Sequence, residues 1–177
     1  MKVTIGSYPK WRWFDNFLFE KFKIKKEQKM SIHIDDYDTW SMDHTLAPII
    51  LPMLKQLMAT KQGAPQVDLD DVPAELRPNA EEHSLYMTEG VTDEKFFERW
   101  DWIMGEMIWA FEQKADDDWE SKYYKYEDII ADENSELFAE RLGIKLVWED
   151  PEGRAAHQKR MTNGFKLFGK YYENLWD

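Results

Sequence analysis

An apolar stripe with helical spacing in the second half of the chain most constrains the fold. Its members recur three and four residues apart, on one face of an α-helix: Phe96, Phe97, Trp100, Ile103, Met104, Met107, Ile108 and Phe111. Thr92 is placed to cap this helix, with Asp93 and Glu94 in its first turn. Trp102 and Trp109 lie off the stripe, so we expect them to face a second packing surface, a partner or a ligand.

Two other segments show the same spacing. After Thr39, one helical face collects Leu46, Ile49, Ile50, Met53, Leu54 and Leu57. Pro48 and Pro52 lack a backbone donor, which predicts a bend there or a helix that begins near Ala47. The last helix is predicted from Arg154 to Leu175, with an apolar face of Met161, Phe165, Phe168, Tyr172 and Leu175.

Shorter elements complete the predicted fold. Strands are expected near Val3–Ile5, Ser31–Ile34 and Ile144–Trp148, and a short helix around Glu136–Leu142 that Gly143 ends. Residues 62–90 are predicted to form a long acidic loop that contains prolines, with room for one short helix around Pro73–Leu76. We therefore predict a single domain over residues 1–177 of α-dominated α+β class, in which four or five helices pack with a few short strands.

The composition excludes several classes of protein. The chain of 177 residues has no cysteine, which excludes disulfides, thiolate nucleophiles and Cys-ligated zinc. It has no apolar run of the roughly 18 residues that a membrane helix needs, and neither a Gly-rich phosphate loop nor a Gly-x-Ser-x-Gly nucleophile elbow. The formal charge of −12 works against direct binding to nucleic acid and to anionic membranes. We expect a protein that stays in the cytoplasm where it is made.

Three aromatic segments carry a pattern beyond their helical spacing. They are IDDYDTWSMDHTLAPIILPMLKQL at residues 34–57, RWDWIMGEMIWAFEQ at 99–113 and NGFKLFGKYYENLWD at 163–177. Together they resemble a family of uncharacterised proteins encoded by tailed bacteriophages. The resemblance does not extend to the N-terminal quarter or to residues 62–90, and it transfers no activity to any residue here. It implies a protein expressed in the host cytoplasm, where it would act on host metabolism, nucleotide pools or defence.

One cluster of residues suits a metal ion. His33, Asp35 and His44 resemble the two-histidine, one-carboxylate sets that hold divalent metals. This spacing is common, and in the alternative Asp36 or Asp38 caps a turn while the histidines make ordinary hydrogen bonds. The sequence therefore leaves a divalent metal open and assigns no other cofactor.

Two carboxylates on the central helix suit a hydrolytic site. Glu98 and Asp101 share a face at spacing i, i+3, and all-helical nucleotide pyrophosphatases hold Mg through pairs of this kind. Glu94 and Glu106 lie within a few turns of them. The alternative is a solvated helix face, and the sequence favours a binding protein over an enzyme.

A basic face on the last helix suits a phosphate group. Its cations are Lys159, Arg160, Lys166 and Lys170, and no acid occurs between Arg154 and Tyr172. Lys and Arg bind phosphate through charge-assisted hydrogen bonds, and the rings of Trp102, Trp109 and Tyr171 are candidates for stacking on a base. In the alternative, this face pairs with the acidic residues of segment 62–90.

These observations leave three functions, ranked in this order. The first is a phage accessory protein that binds a nucleotide-type signal or a host protein, as an antagonist of host defence or a factor in host takeover. The second is a Mg-dependent all-helical nucleotide pyrophosphatase. The third is an acidic inhibitor that mimics DNA, which only the charge suggests. A homo-oligomer is left open.

Overall fold

The computed structural model describes residues 1–7, 20–21, 27–131 and 133–176. Within them, five α-helices and two antiparallel two-stranded sheets confirm the predicted α-dominated α+β class. The elements are β1 (Lys2–Ile5), β2 (Met30–His33), α1 (Met42–Thr60), α2 (Ala80–Glu89), α3 (Phe96–Ala115), β3 (Tyr124–Asp128), α4 (Phe138–Arg141), β4 (Ile144–Glu149) and α5 (Pro151–Lys170). No helix in this part of the chain has both the length and the apolar character that crossing a bilayer requires.

The chain divides into two compact units, an N-terminal unit of Met1–Thr45 and a C-terminal unit of Leu46–Asp177. In the N-terminal unit, β1 and β2 pair antiparallel, with Lys2 opposite His33 and Ile5 opposite Met30. Both strands were predicted, and the alternation of side chains places their apolar residues on one face of the pair. A 3-10 turn at Asp36–Thr39 follows, and a capping box between Asp35 and Asp38 begins it.

Helix α1 begins earlier than one prediction allowed. It runs from Met42 to Thr60 with Pro48 and Pro52 inside it, so a start near Ala47 is wrong. Each proline removes a backbone donor and crowds the carbonyl four residues before it, but the side chains of Ala47 and Leu54 on this helix are buried in the core. Packing of this face therefore keeps the helix continuous through two residues that intrinsic propensity disfavours.

Segment 62–90 is more structured than predicted. Its second half is helix α2, which the side chain of Asn79 caps by accepting hydrogen bonds from the backbone of Glu81 and Glu82. Gly90 ends the helix in the left-handed conformation, with φ of 71°. The expected short helix near Pro73–Leu76 is present as a 3-10 turn at Ala74–Leu76. The apolar pattern of α2 is too weak to reveal it, but its two caps were visible in the sequence.

Helix α3 supplies most of the core of the C-terminal unit. Its buried apolar side chains are Phe96, Trp100, Ile103, Met104, Met107, Ala110 and Phe111. The helix starts after Lys95 and not at Thr92, and the Asp93 carboxylate accepts a hydrogen bond from the backbone N–H of Lys95 and pairs with Arg99. Phe97, predicted to belong to the stripe, is half exposed.

Helix α5 packs along α3 and begins three residues before its predicted start. Pro151 occupies its first turn, and the Asp150 side chain accepts a hydrogen bond from the backbone N–H of Gly153. In the sequence between α3 and α5, strands β3 and β4 form the second sheet, with a register shift between Lys125 and Tyr126. Strand β4 and the short helix α4 were predicted, whereas β3 was not.

Candidate functional site

The C-terminal unit contains an apolar groove between α1 and the end of the chain. Its volume is about 940 Å³. The described residues that line it are Ile50, Pro52, Met53, Leu54, Gln56, Leu57, Thr60, Phe168, Tyr172, Leu175 and Trp176. None of these residues carries a charge. We refer to this feature as the apolar groove.

The groove has a buried floor and an exposed rim. Leu54 is buried, and Ile50, Leu57, Phe168 and Leu175 are partly buried against the core. On the rim, Met53 is 61% exposed, Tyr172 is 65% exposed and Trp176 is 67% exposed. Large apolar side chains that are exposed above a packed floor are typical of the residues at the centre of a protein interface.

Arg160, predicted to bind a phosphate, is half exposed and pairs with a carboxylate of this chain. Its guanidinium makes two hydrogen bonds to the carboxylate of Glu106 on α3, at 3.0 and 2.7 Å. It also lies 4.0 Å from the centre of the Trp109 ring. The hydrogen bonds to Glu106 raise the pKa of Arg160. The guanidinium and one face of Trp109 therefore already contact each other, and a phosphate bound by Arg160 would compete with the Glu106 carboxylate.

Lys170 and Tyr171 also have internal partners. The ammonium group of Lys170 lies 2.9 Å from a carboxylate oxygen of Asp68 and 2.6 Å from one of Asp71. Hydrogen bonding to both carboxylates raises the pKa of Lys170. Tyr171 is buried, at 4% exposure, and its ring meets Trp100 edge to face. These two residues tie α5 to segment 62–90, as the alternative interpretation of the basic face expected.

Lys159 and Lys166 lie on the exposed side of α5. They border a shallow depression together with Ala155, Ala156, Gln158, Arg160, Thr162 and Asn163, all from the same helix. Trp102, the remaining predicted ring, is partly buried against the core. The seven residues predicted to bind a ligand therefore do not converge on one site.

The predicted hydrolytic pair is not arranged as a metal site. Asp101 Oδ1 lies 2.5 Å from the ammonium group of Lys61, so its charge is already neutralised. Glu98 is exposed on the same helix. Among the described residues, no three His, Asp or Glu side chains come together in a group that could hold a metal ion.

The same finding applies to the predicted ligands His33, Asp35 and His44. His33 Nε2 lies 3.1 Å from Asp35 Oδ1, and the terminal ammonium group of Met1 lies 3.6 Å from Asp35 Oδ2. The Met1 ammonium group contacts Asp38 more closely, at 2.7 Å, and this hydrogen bond lowers the pKa of Asp38. Although His33 and Asp35 are in contact, they and His44 do not form a group of three that could hold a metal ion in the described part of the chain.

The groove residues were visible in the sequence but were interpreted as core. Met53 and Tyr172 belong to the predicted apolar faces, and Trp176 lies beyond the last predicted helix. The available signal was an excess of apolar residues, because α1 buries only Ala47 and Leu54 completely. Periodicity identifies the apolar side of a helix but not whether another element covers it.

Comparison of the chain with protein-family models, with curated proteins and with solved structures found no match.

Proposed function

We propose that this protein acts by binding another protein in the cytoplasm of a bacterial host, as a phage accessory factor that antagonises host defence or assists takeover. The observation that carries the proposal is the apolar groove, with Met53, Tyr172 and Trp176 exposed on its rim. An exposed apolar surface of this kind is costly in a monomer and typical of an interaction site.

Three other observations favour a protein partner over the alternative functions. A nucleotide-type ligand loses support because Arg160 and Lys170 pair with carboxylates of this chain. A nucleotide hydrolase loses support because Asp101 pairs with Lys61. The DNA mimic is suggested only by the charge, and three of the acids on α3, Asp101, Glu106 and Glu112, are paired with bases of this chain.

The test is affinity capture from a lysate of the bacterial host with three forms of the protein. The groove double variant carries Met53→Ala and Trp176→Ala. The control double variant carries Met87→Ala and Trp148→Ala, which remove the same side chains from exposed positions that do not line the groove. We expect the wild type and the control to retain a common host protein that the groove double variant loses. Equal capture by all three forms, or by none, would contradict the proposed function.

A further inference from the structure

We propose that the chain forms a symmetric dimer in which strand β3 of one copy pairs antiparallel with β3 of a second copy. The proposal does not depend on the apolar groove. It follows from three properties of the β3–β4 ribbon in the C-terminal unit: an uncovered strand edge, the regular geometry of that edge, and a charge pattern that is complementary to itself.

Strands β3 and β4 form a ribbon of two strands whose outer edges are uncovered. Each strand pairs only with the other in the described part of the chain, and the residues from Lys125 to Asp128 and from Lys145 to Glu149 are all exposed. No backbone hydrogen bond joins the outer edge of either strand to another described segment. A two-stranded ribbon is marginally stable in water, and its free backbone groups are a template for a further strand.

The two outer edges differ in geometry. Consecutive residues of β3, Lys125 and Tyr126, pair with Trp148 and Leu146 of β4. Val147 therefore has no partner on β3 and forms a bulge in β4. A bulge bends and twists its strand, which hinders pairing at that edge. Strand β3 has no extra residue, so its edge is the one that can accept a further strand.

The free backbone groups on the outer edge of β3 belong to alternate residues. Tyr123 and Ile129, which flank β3, make backbone hydrogen bonds to the residues that flank β4. Because alternate residues of an antiparallel strand bond to the same neighbour, the odd-numbered residues of β3 bond to β4. The N–H and C=O groups of Tyr124, Tyr126 and Asp128 therefore point away from β4, towards the position of a further strand.

The charges of β3 select a second copy of the same strand in one register. A two-fold axis perpendicular to the sheet sets one residue opposite itself and keeps each side chain on its own face. An axis at Lys125 or at Glu127 would set like charges directly opposite each other, and an axis at either end of β3 would pair fewer residues. An axis at Tyr126 sets Lys125 opposite Glu127 on both sides of an aromatic pair, which is favourable. In this register, Tyr126 exchanges both backbone hydrogen bonds with its counterpart, and Tyr124 does so with Asp128 of the second copy.

The test exchanges charges across the proposed axis and measures the mass of the full-length chain in solution by analytical ultracentrifugation. One variant is Lys125→Glu and the other is Glu127→Lys. Each alone sets like charges opposite each other in the dimer, whereas a mixed dimer of the two variants has opposite charges on both sides of the axis. Lys159→Glu makes the same change of charge at an exposed position on α5 and is the control.

We expect the wild type and the control to dimerise equally, and each single variant to dimerise at least about tenfold more weakly. An equimolar mixture of the two variants should associate about as tightly as the wild type. Mixing cannot repair misfolding, nor the loss of the contact between Lys125 and the Trp148 ring, so recovery in the mixture identifies the pairing. The amide hydrogens of Tyr124, Tyr126 and Asp128 should also exchange more slowly in the dimer than in the dilute monomer.

Several outcomes would overturn this inference. They are a wild type that stays monomeric up to about 0.5 mM, self-association that the single variants leave unchanged, and single variants that do not associate when mixed although the wild type dimerises. Dimerisation that only the groove double variant abolishes would instead assign the contact between copies to the apolar groove. The proposed function is tested by capture from lysate, so it stands if the dimer inference alone fails.

Discussion

His157 lies between two tryptophan rings on the inner side of α5. Its imidazole stacks on Trp119 at 4.5 Å and lies 4.9 Å from Trp109. The Tyr123 hydroxyl is 2.9 Å from Nδ1, and Nε2 is buried without a hydrogen-bond partner in the part of the chain described. Burial lowers the pKa of His157 from its ordinary value of 6.5, and the positive charges of Lys122 and Arg160 lower it further.

This environment predicts a loss of stability in mild acid. Because the folded state lowers the pKa of His157, the unfolded chain takes up the proton first as the pH falls. The free energy of unfolding should therefore decrease between about pH 7.5 and pH 5.5, above the range in which carboxylates titrate. Urea unfolding at both pH values measures the decrease, which should be smaller in His157→Phe. The exposed His33→Phe should keep the full decrease, and an equal decrease in all three proteins would contradict this assignment.

At the scale of elements, the packing of α5 on α3 depends on the absence of a side chain at Gly164. A Cβ atom there would lie 2.5 Å from the Cβ of Ala110 and 2.6 Å from the backbone oxygen of Glu106. Both contacts involve atoms fixed by α3, so the two helices must separate to relieve them. We expect Gly164→Ala to lower the free energy of unfolding by about 1–3 kcal/mol.

The same helix provides a matched control for that substitution. A Cβ atom at Gly169 meets nothing within 4 Å. Gly169→Ala should raise the free energy of unfolding by up to about 1 kcal/mol, because alanine loses less backbone entropy in a helix. Chemical denaturation of both variants measures the difference. Effects of the same sign and size would mean that close packing at Gly164 does not hold the helices together.

At the scale of the whole molecule, Tyr171 joins parts of the C-terminal unit that are about 100 residues apart in sequence. Its hydroxyl accepts a hydrogen bond from the backbone N–H of Asp68 at 2.9 Å and donates one to Asp71 Oδ2 at 2.6 Å. Burial, together with the hydrogen bond to Asp71, raises the pKa of Tyr171 to about 12. The Lys170 ammonium group contacts the same two aspartates.

We expect Tyr171→Phe to lower the free energy of unfolding by about 1–3 kcal/mol, because a partly buried carboxylate and a backbone donor each lose a partner. The raised pKa means that the contribution of the phenol is complete below pH 10 and is lost as the pH rises towards 12. Unfolding measured at neutral pH and at about pH 11 should therefore show a smaller alkaline loss in this variant than in the wild type. Tyr172→Phe, at the exposed neighbouring position, should behave as the wild type; a loss equal to that of Tyr171→Phe would contradict the network.

Local sequence patterns were enough to predict the helical core and most of the short elements. The period of the stripe from Phe96 to Phe111 identified α3, because a helix that buries one face must repeat its apolar residues every three to four positions. Gly143, predicted to end the short helix before β4, is left-handed, with φ of 79°, and lies two residues after the end of α4. The capping signals of α2 were also local, although its weak apolar pattern hid them.

Which charged and apolar residues face solvent depends on the packing of segments that are far apart in sequence. Arg160 and Lys170 looked like free cations, but their carboxylate partners lie 54 and about 100 residues away in sequence, a distance that no local pattern encodes. Met53 and Tyr172 looked like core, yet the packing of α1 against the end of the chain leaves them on the rim of the apolar groove. Periodicity records that a face is apolar, whereas the spatial arrangement of neighbouring elements decides whether that face is covered.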